Sequence, residues 1–286
     1  MKNTDWTTEI RAAAQRAQAQ GAMVPLVSET RAVQQEGLDF LVAHLSSLSL
    51  KDLAKILQQN SGANPFLPYE AAMFVANLSD THVLLLNKFP IFPDHAMVVT
   101  RQFQPQTGPL EEADFAALAV LMEGIPDAVF MFNGGKTAGA SQPHRHLHIL
   151  PTHQLPLLAR LPADQPVGQV RSLPFFGFLH AHVALDPSLP GPAWAAQLAA
   201  AVQAASTHCG LEPHMGEMPP YNLLGRRDGV LLVPRRREHW SDGTHSISVN
   251  ALNFGGWVGV RGPEQIEPVC RAGLRATWEA VTQPLD

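Results

Sequence analysis

From residue 72 to residue 133 the chain is a succession of short branched and aromatic runs. AMFVANL (72–78), HVLLLNKF (82–89), HAMVVTRQF (95–103) and AVFMFN (128–133) are each bounded by turn formers. Runs of this length and composition read as β-strands. A single helical pattern interrupts them, LEEADFAALAVLME (110–123), with acidic residues in its first turn and Gly124 behind it. Strands that outnumber helices without alternating with them argue against a doubly wound parallel sheet. They predict an α+β fold in which an antiparallel sheet is flanked by helices.

The flanks are less regular. Residues 5–20 read as a surface helix closed by Gly21. Between 38 and 57, Leu38, Leu41, Val42, Leu45 and Leu48 give a partly helical period. SGANPFLPYE (61–70) is too dense in turn formers to be one element. Residues 151–192 carry many of the 24 prolines and predict an irregular loop. Beyond it come a helix over 193–207, strand-like YNLLG, GVLLVP and SISVNALNF, and a last helix near 264–280. FNGG (132–135) and NFGG (253–256) hint at two related halves. The expected division is a helical extension over 1–37, a central region over 38–160, and a region over 161–286 that completes the same fold.

Composition narrows the function classes. Net charge is −5, the pI is about 6.2, and charged residues are only 16% of the chain, which argues against a generally basic nucleic-acid binder. No apolar run reaches the 18 or so residues of a membrane span, and the N-terminus has no secretory pattern. With Cys209 and Cys270 the only cysteines, no disulfide framework is expected, and a reducing, cytoplasmic setting is the default.

The informative segment is NGGKTAGASQPHRHLHIL (133–150). On an extended chain His144, His146 and His148 project to one face, with Arg145, Leu147 and Ile149 on the other. Three readings fit such a row. It can be a satisfied polar sheet surface, or a metal site, since imidazole suits zinc or copper. It can also be a catalytic row in which one imidazole attacks phosphorus while the others orient it. The preceding loop favours the last, because Gly134, Gly135, Gly139, Ala138, Ala140 and Ser141 let backbone N–H groups approach an anion, with Lys136 and the Ser141 hydroxyl beside them. A P-loop is excluded: G-K-T stands at 135–137, but Phe130 holds the position of the required earlier glycine. Asn87 and Lys88 end the 82–89 run and are either a polar hairpin rim or contacts to a sugar hydroxyl and a phosphate. The five arginines of RRDGVLLVPRRRE (226–238) are either a solvated basic face or a grip on polyphosphate.

In order along the chain stand NPFLPYE, LLNKFP, VVT, FNGG, TAGASQPHRHLHILP, YNLLG, LLVPR and VNAL. This series, over about residues 40–260, resembles the ATP adenylyltransferase (diadenosine tetraphosphate phosphorylase) family of the histidine triad superfamily. The resemblance implies a histidine triad fold akin to galactose-1-phosphate uridylyltransferases. It implies a reversible reaction of diadenosine tetraphosphate with phosphate to give ATP and ADP. His146 would be the nucleophile that carries AMP, flanked by His144 and His148. Asn133, Gly139, Ala140, Ser141 and Gln142 match phosphate- and substrate-binding positions, and Asn87 and Lys88 match nucleotide contacts. Lys51, with Lys55 as its alternative, is the expected N-terminal lysine contact, and the C-terminal motif places Asn222, Arg226 and Arg235 at the substrate. The chain departs from the pattern at three places: His148 stands for Gln, Arg226 for Thr and Gly229 for Trp. The first leaves water as a rival acceptor, hence a dinucleoside polyphosphate hydrolase that releases AMP. A metal-binding or nucleotide-sensing module without turnover is the rival from another class. Magnesium is expected with the substrate and no dedicated metal site. The expected partners are small nucleotides and phosphate, not nucleic acid or membrane, with the chain a monomer or a small homo-oligomer.

Overall fold

The computed structural model describes residues 4–46, 64–151, 155–162 and 164–285. In chain order the helices are α1 (Trp6–Ala19), α2 (Glu112–Gly124), α3 (Gly191–His208), α4 (Ala251–Phe254), α5 (Ile266–Ala272) and α6 (Leu274–Glu279). The strands are β1 (Ser28–Gln35), β2 (Leu38–Leu45), β3 (Phe74–Asn77), β4 (His82–Leu86), β5 (Ala96–Thr100), β6 (Ala128–Asn133) and β7 (His146–Pro151). They continue with β8 (Val170–Arg171), β9 (Ala181–Ala184), β10 (Tyr221–Arg226), β11 (Gly229–Pro234), β12 (His239–Ser241), β13 (Ser246–Ser248) and β14 (Trp257–Val260).

Nine strands form one antiparallel sheet in the order β3-β4-β5-β7-β6-β10-β11-β9-β8. The fold is the α+β arrangement that the short turn-bounded runs predict. At its centre β6 meets β10, so a single sheet crosses from the first half of the sequence to the second. Its two outer strands are small: β3 has four residues and a register shift between Phe74 and Ala76, and β8 has two residues.

The central strands are buried on both faces, which is why they read as continuous apolar runs. One face, with Leu147, Ile149, Phe130, Phe132 and Leu223, packs on α1, α2 and α3. The other carries Val129, Met131, Leu150 and Leu224 against Leu252 of α4, Trp257 of β14 and Phe92. A second layer on this face is the sheet β1-β2-β14, whose Phe40 and Val42 join Phe178, Leu231 and Trp278 in a further cluster. Apolar burial of this extent is the main favourable term.

Four sequence expectations change. The helical period over 38–57 gives way to a strand over 38–45, and its remainder from 47 lies outside the described residues. Leu38, Phe40 and Val42 also satisfy a period of two and are all buried. Glu36 and Gly37, with φ of 50° and 74°, make the two-residue turn that pairs Gln35 with Leu38. Positive φ at both positions matches the twist of a hairpin, and that local turn decides between the two periods. SISVNALNF is a strand only to Ser248. Asn250 then caps α4, its side chain accepting from Leu252 N and its backbone N donating to Asn253 Oδ1. The last helix is broken by Gly273 at φ 92°. The proline-rich 151–192 stretch is not wholly irregular, since it supplies β8 and β9.

Behind the histidine strand lies a buried charged network. Arg145 Nη1 donates to Asp114 Oδ2 at 3.0 Å, and His82 Nε2 lies 3.0 Å from Asp114 Oδ1. Glu111 N also donates to Asp114 Oδ2, in the capping box that starts α2. All three side chains are at most 2% exposed. Removing the carboxylate leaves the buried Arg145 guanidinium with only the exposed Glu111 carboxylate, 3.8 Å away, as its counter-charge. Asp114→Ala is therefore expected to cost about 3–5 kcal/mol in chemical denaturation; a loss below about 1 kcal/mol would show that the network bears little on stability.

Candidate active site

Side chains alternate along β7, so His146 and His148 face away from the helices while Leu147 and Ile149 enter the helix-side core. His144 precedes the strand and is held by a bridge to Pro105. Its Nε2 lies 2.8 Å from Thr100 O, a carbonyl that can only accept, so the ring proton sits on Nε2. Asn64 Nδ2 then donates to His144 Nδ1 at 3.0 Å. The Asn64 amide cannot be turned, because its Oδ1 already accepts from Phe66 N.

The same logic fixes His146. Its Nδ1 is 2.8 Å from His144 O and must donate, which leaves Nε2 with a free lone pair. Gln106 holds the backbone here: its Oε1 accepts from His146 N, and its Nε2 donates to Asn133 O and His146 O. The Phe66 ring lies against both imidazoles, at 5.5 Å from His144 and 5.4 Å from His146. Burial pushes His146 down to about 4, against the opposing pull of its hydrogen bond to the His144 carbonyl. His144 is also lowered by burial. At neutral pH both rings are uncharged.

A fourth imidazole joins the row. His95 Nε2 is 2.9 Å from His148 Nδ1, and the rings of His146 and His148 are 4.9 Å apart. Asn87 Nδ2 lies 3.2 Å from His95 Nδ1, and Asn87 Oδ1 accepts from Phe89 N. Burial pushes His95 down to about 3 and His148 well below its ordinary value.

The glycine loop is braced from beneath. Asn133 Oδ1 accepts from Asn222 Nδ2 at 2.7 Å and from Ala251 N at 3.0 Å. Asn222 Nδ2 also donates to Ala138 O, and Arg235 Nη1 donates to Asn222 Oδ1 and Val249 O. Asn133, Asn222 and Arg235 are thus buried supports of the loop and of α4. Within the loop the amides of Gly135, Ala138, Gly139 and Ala140 bond to loop carbonyls, and Gly134 N donates to Tyr221 O. Of the expected loop contacts, Ser141 is exposed and Gln142 half-buried. Gly139 has φ 88°, and a Cβ there would come within 2.7 Å of Asn250 Cβ.

The structure thus brings His144, His146, His148, Asn87, Asn133, Gly139, Asn222 and Arg235 into one constellation. Lys88 pairs with Glu70 on the rim, and Lys136 is exposed. Arg226 lies at the far end of β10 from Asn222, bound to Asp228, and lines a separate cavity with His182. Lys51 and its alternative Lys55 lie outside the described residues. Among the described residues no group of three or more His, Cys, Asp or Glu could hold a metal ion. None of their helices is long and apolar enough to cross a membrane.

Sequence reasoning missed His95, Gln106, Asn64 and a cavity of about 300 Å³ beside the loop, lined by Ile91, Ile247, Trp257, Asn250 and Asn253 among others. Asn253 is 2% exposed; its Oδ1 is taken by Asn250 N, and its Nδ2 has no partner. PDH and VNALNF were the available signals, but their neighbours come from distant segments.

An α+β sheet carrying a neutral imidazole row beside a small-residue loop defines a histidine-row site. The profile of the Ap4A phosphorylase N-terminal domain matches residues 1–169, and that of the ATP adenylyltransferase C-terminal domain matches residues 171–284. The chain belongs to the Ap4A phosphorylase family. From Saccharomyces cerevisiae, Protein APA1 is 29% identical over 124 residues, and diadenosine 5′,5‴-P1,P4-tetraphosphate phosphorylase 2 is 32% identical over 124 residues. The match spans 38% of the length of each relative, and 40% and 39% of this chain. The crystal structure of yeast Ap4A phosphorylase Apa2 in complex with AMP superposes with a TM-score of 0.81 at 19% identity, covering 99% of both chains. Its complex with Ap4A gives 0.78 at 19% identity, again with 99% of both chains covered. These likenesses establish the fold.

Two outcomes follow. A folded His146 pKa below its unfolded value leaves stability intact above about 6.5 and erodes it as pH falls toward about 4, since only the unfolded state gains the proton there. His95 acts in the same direction. Denaturation at stepped pH should show a flat stability from 8 to 7 and a decline below about 6.5, near 1.4 kcal/mol per pH unit for each such histidine. Gly139→Ala combines a strained φ with a collision at Asn250 Cβ. It should lower the melting temperature and weaken nucleotide binding, whereas an unchanged melting temperature would mean the loop yields freely.

Proposed function

We propose that this chain is a nucleotidyltransferase that splits diadenosine tetraphosphate with phosphate into ATP and ADP, reversibly, through AMP held on His146. The observation that carries the reading is the neutral His146 ring, its Nδ1–H bound to the His144 carbonyl and its Nε2 lone pair unshared. The name of one yeast relative, a diadenosine tetraphosphate phosphorylase, and the Ap4A and AMP complexes of Apa2 support the substrate class.

In the first step the Nε2 lone pair attacks the α-phosphorus, the bond to the bridging oxygen breaks, and ATP leaves with that oxygen. His146 keeps its Nδ1 proton, so the adduct is an N-phosphorylated imidazolium whose positive charge the His144 carbonyl offsets. The departing oxygen becomes a terminal phosphate, whose second ionisation lies near about 6, so it needs no proton at neutral pH. Neutral imidazoles are adequate for this, since no acid is required of them. In the second step a phosphate oxygen attacks the same phosphorus, the P–N bond breaks, and ADP leaves. Splitting the transfer into two displacements lowers each barrier.

The cavity beside the loop is the proposed nucleoside pocket. Ile91 and Trp257 offer apolar walls, and the partnerless Asn253 amide offers a donor. Ser141 and Gln142, with Lys88 and Lys136 on the rim, are the proposed polyphosphate contacts. Magnesium is proposed to enter as the counterion of the polyphosphate. The imidazoles, amides and hydroxyls of the site make poor ligands for that cation, and the Glu70 carboxylate is paired with Lys88. A cytoplasmic location is proposed from the two free cysteines, Cys209 buried and Cys270 half-buried.

The test is incubation with diadenosine tetraphosphate with and without phosphate. ATP and ADP appearing only with phosphate is the expected result. AMP formed without phosphate would make the chain a hydrolase. His146→Ala should abolish turnover and the trapping of labelled AMP on the protein, and full activity of that variant would overturn the assignment.

A further inference from the structure

We infer that Arg145, anchored by Asp114 and seated against Gly108, is a positioning residue that sets the place of His146 from the reverse face of the sheet. The inference rests on the reading that His146 takes the nucleotidyl group.

Arg145 stands between two histidines of the row, so its side chain points to the opposite face. There it is 2% exposed, and its Nη1 donates to Asp114 Oδ2 at 3.0 Å. Asp114 lies in the first turn of α2 and accepts in addition from His82 Nε2 and Glu111 N. The charged end of Arg145 is thus tied to a helix on the far side of the sheet from the imidazoles.

Its backbone is tied to the site. Arg145 N donates to Gln104 O at 2.8 Å, and Arg145 O accepts from Thr100 N at 3.3 Å. Gln104 leads into the turn Pro105–Gly108, which Gly108 N closes by donating to Pro105 O. Gln106 in that turn grips His146 by its backbone, with Oε1 on His146 N and Nε2 on His146 O. The guanidinium lies against the same turn, since a Cβ on Gly108 would come within 2.6 Å of Arg145 Nη2. Arg145 therefore meets His146 by two routes, along the chain and through the turn that carries Gln106.

Stability alone does not account for this arrangement. Arg145 Nε finds no acceptor, and a buried donor without one is costly. Breaking a buried ion pair costs stability, but an apolar replacement of the whole pair is often no less stable. What the pair secures is location. Attack on phosphorus needs the His146 Nε2 lone pair in line with the bridging oxygen, and a misplacement of about 1 Å can cost about 100-fold in rate.

Gly108→Ala tests this without removing a charge or a hydrogen-bonding side chain. Its methyl group meets Nη2, and Arg145 cannot swing aside while Asp114 holds Nη1, so the turn and Gln106 must move. The kcat for diadenosine tetraphosphate and the single-turnover rate of AMP transfer to His146 should both fall about 10- to 100-fold, with KM and nucleotide Kd within about threefold. Arg145→Lys keeps a cation for Asp114 but removes Nη2, and in that background Gly108→Ala should cost less than about threefold. Equal losses in the two backgrounds, or an unchanged kcat in Gly108→Ala, would overturn the inference. Should Gly108→Ala not fold, Arg145→Lys alone carries the test: about 10-fold lower kcat at unchanged KM is expected, and wild-type kcat would overturn it. Nitrogen-15 spectra of histidine-labelled protein supply an arm independent of turnover. The His146 resonances should shift in Gly108→Ala and shift less when Arg145→Lys is present; resonances unmoved by Gly108→Ala would overturn the inference whatever the activity. If wild type forms no AMP adduct while those resonances respond as stated, the phosphorolysis reading fails and the positioning assignment stands.

Discussion

The meeting of two side-chain amides, Asn133 on β6 and Asn222 on β10, is the contact on which the rest of this molecule depends. It sits where the two matched family regions are sewn into one sheet, with Asn133 opposite Asn222 in the register. Each amide then reaches one layer further: Asn133 to the N-terminus of α4, and Asn222 to the glycine loop and to Arg235. Arg235 is 2% exposed and its guanidinium is pushed down to about 9 by burial, yet it bonds to Val249, Arg237 and Glu238 carbonyls. A buried cation of this kind is tolerated because nearly every N–H has an acceptor. The loop, the helix cap and the histidine strand therefore share one rigid support.

Upon that support the histidines are kept uncharged by exclusion of water, and their protons are assigned by neighbours that can play one role only. Carbonyls of Thr100 and His144 demand donors, and the Asn64 amide is itself pinned by a backbone N–H group. An imidazole in water exchanges freely between tautomers. Here the fold chooses for His144 and His146, which is a form of preorganisation achieved before substrate arrives.

Much of this was legible in the sequence. The strand runs at 82–89, 95–103 and 128–133 follow from their length, composition and flanking turn formers, the helix over 110–123 from its first-turn acids and closing glycine, and the one-faced histidine row from the alternation of an extended chain. Where the reading failed, two signals overlapped: Leu38, Leu41 and Val42 suit a helix, while Leu38, Phe40 and Val42 suit a strand, and the Glu36–Gly37 turn settles it. The site was legible in its local part only. His146 stands in a dense motif, but His95 is a lone histidine 51 positions away that becomes its neighbour because β5 pairs with β7. Asn222 and Arg235 belong to the site, yet as supports beneath the loop. Sequence spacing cannot tell a side chain that reaches a ligand from one that holds the loop that does.

The outermost strands of the large sheet have a consequence of their own. A nine-stranded sheet ends in two outer strands, and a long flat outer strand is a template for adding another chain. Here one rim ends in a bulged strand of four residues and the other in a strand of two. Neither offers a straight ladder of unpaired amides. Short, irregular margins of this kind blunt that template while the interior of the sheet stays wide.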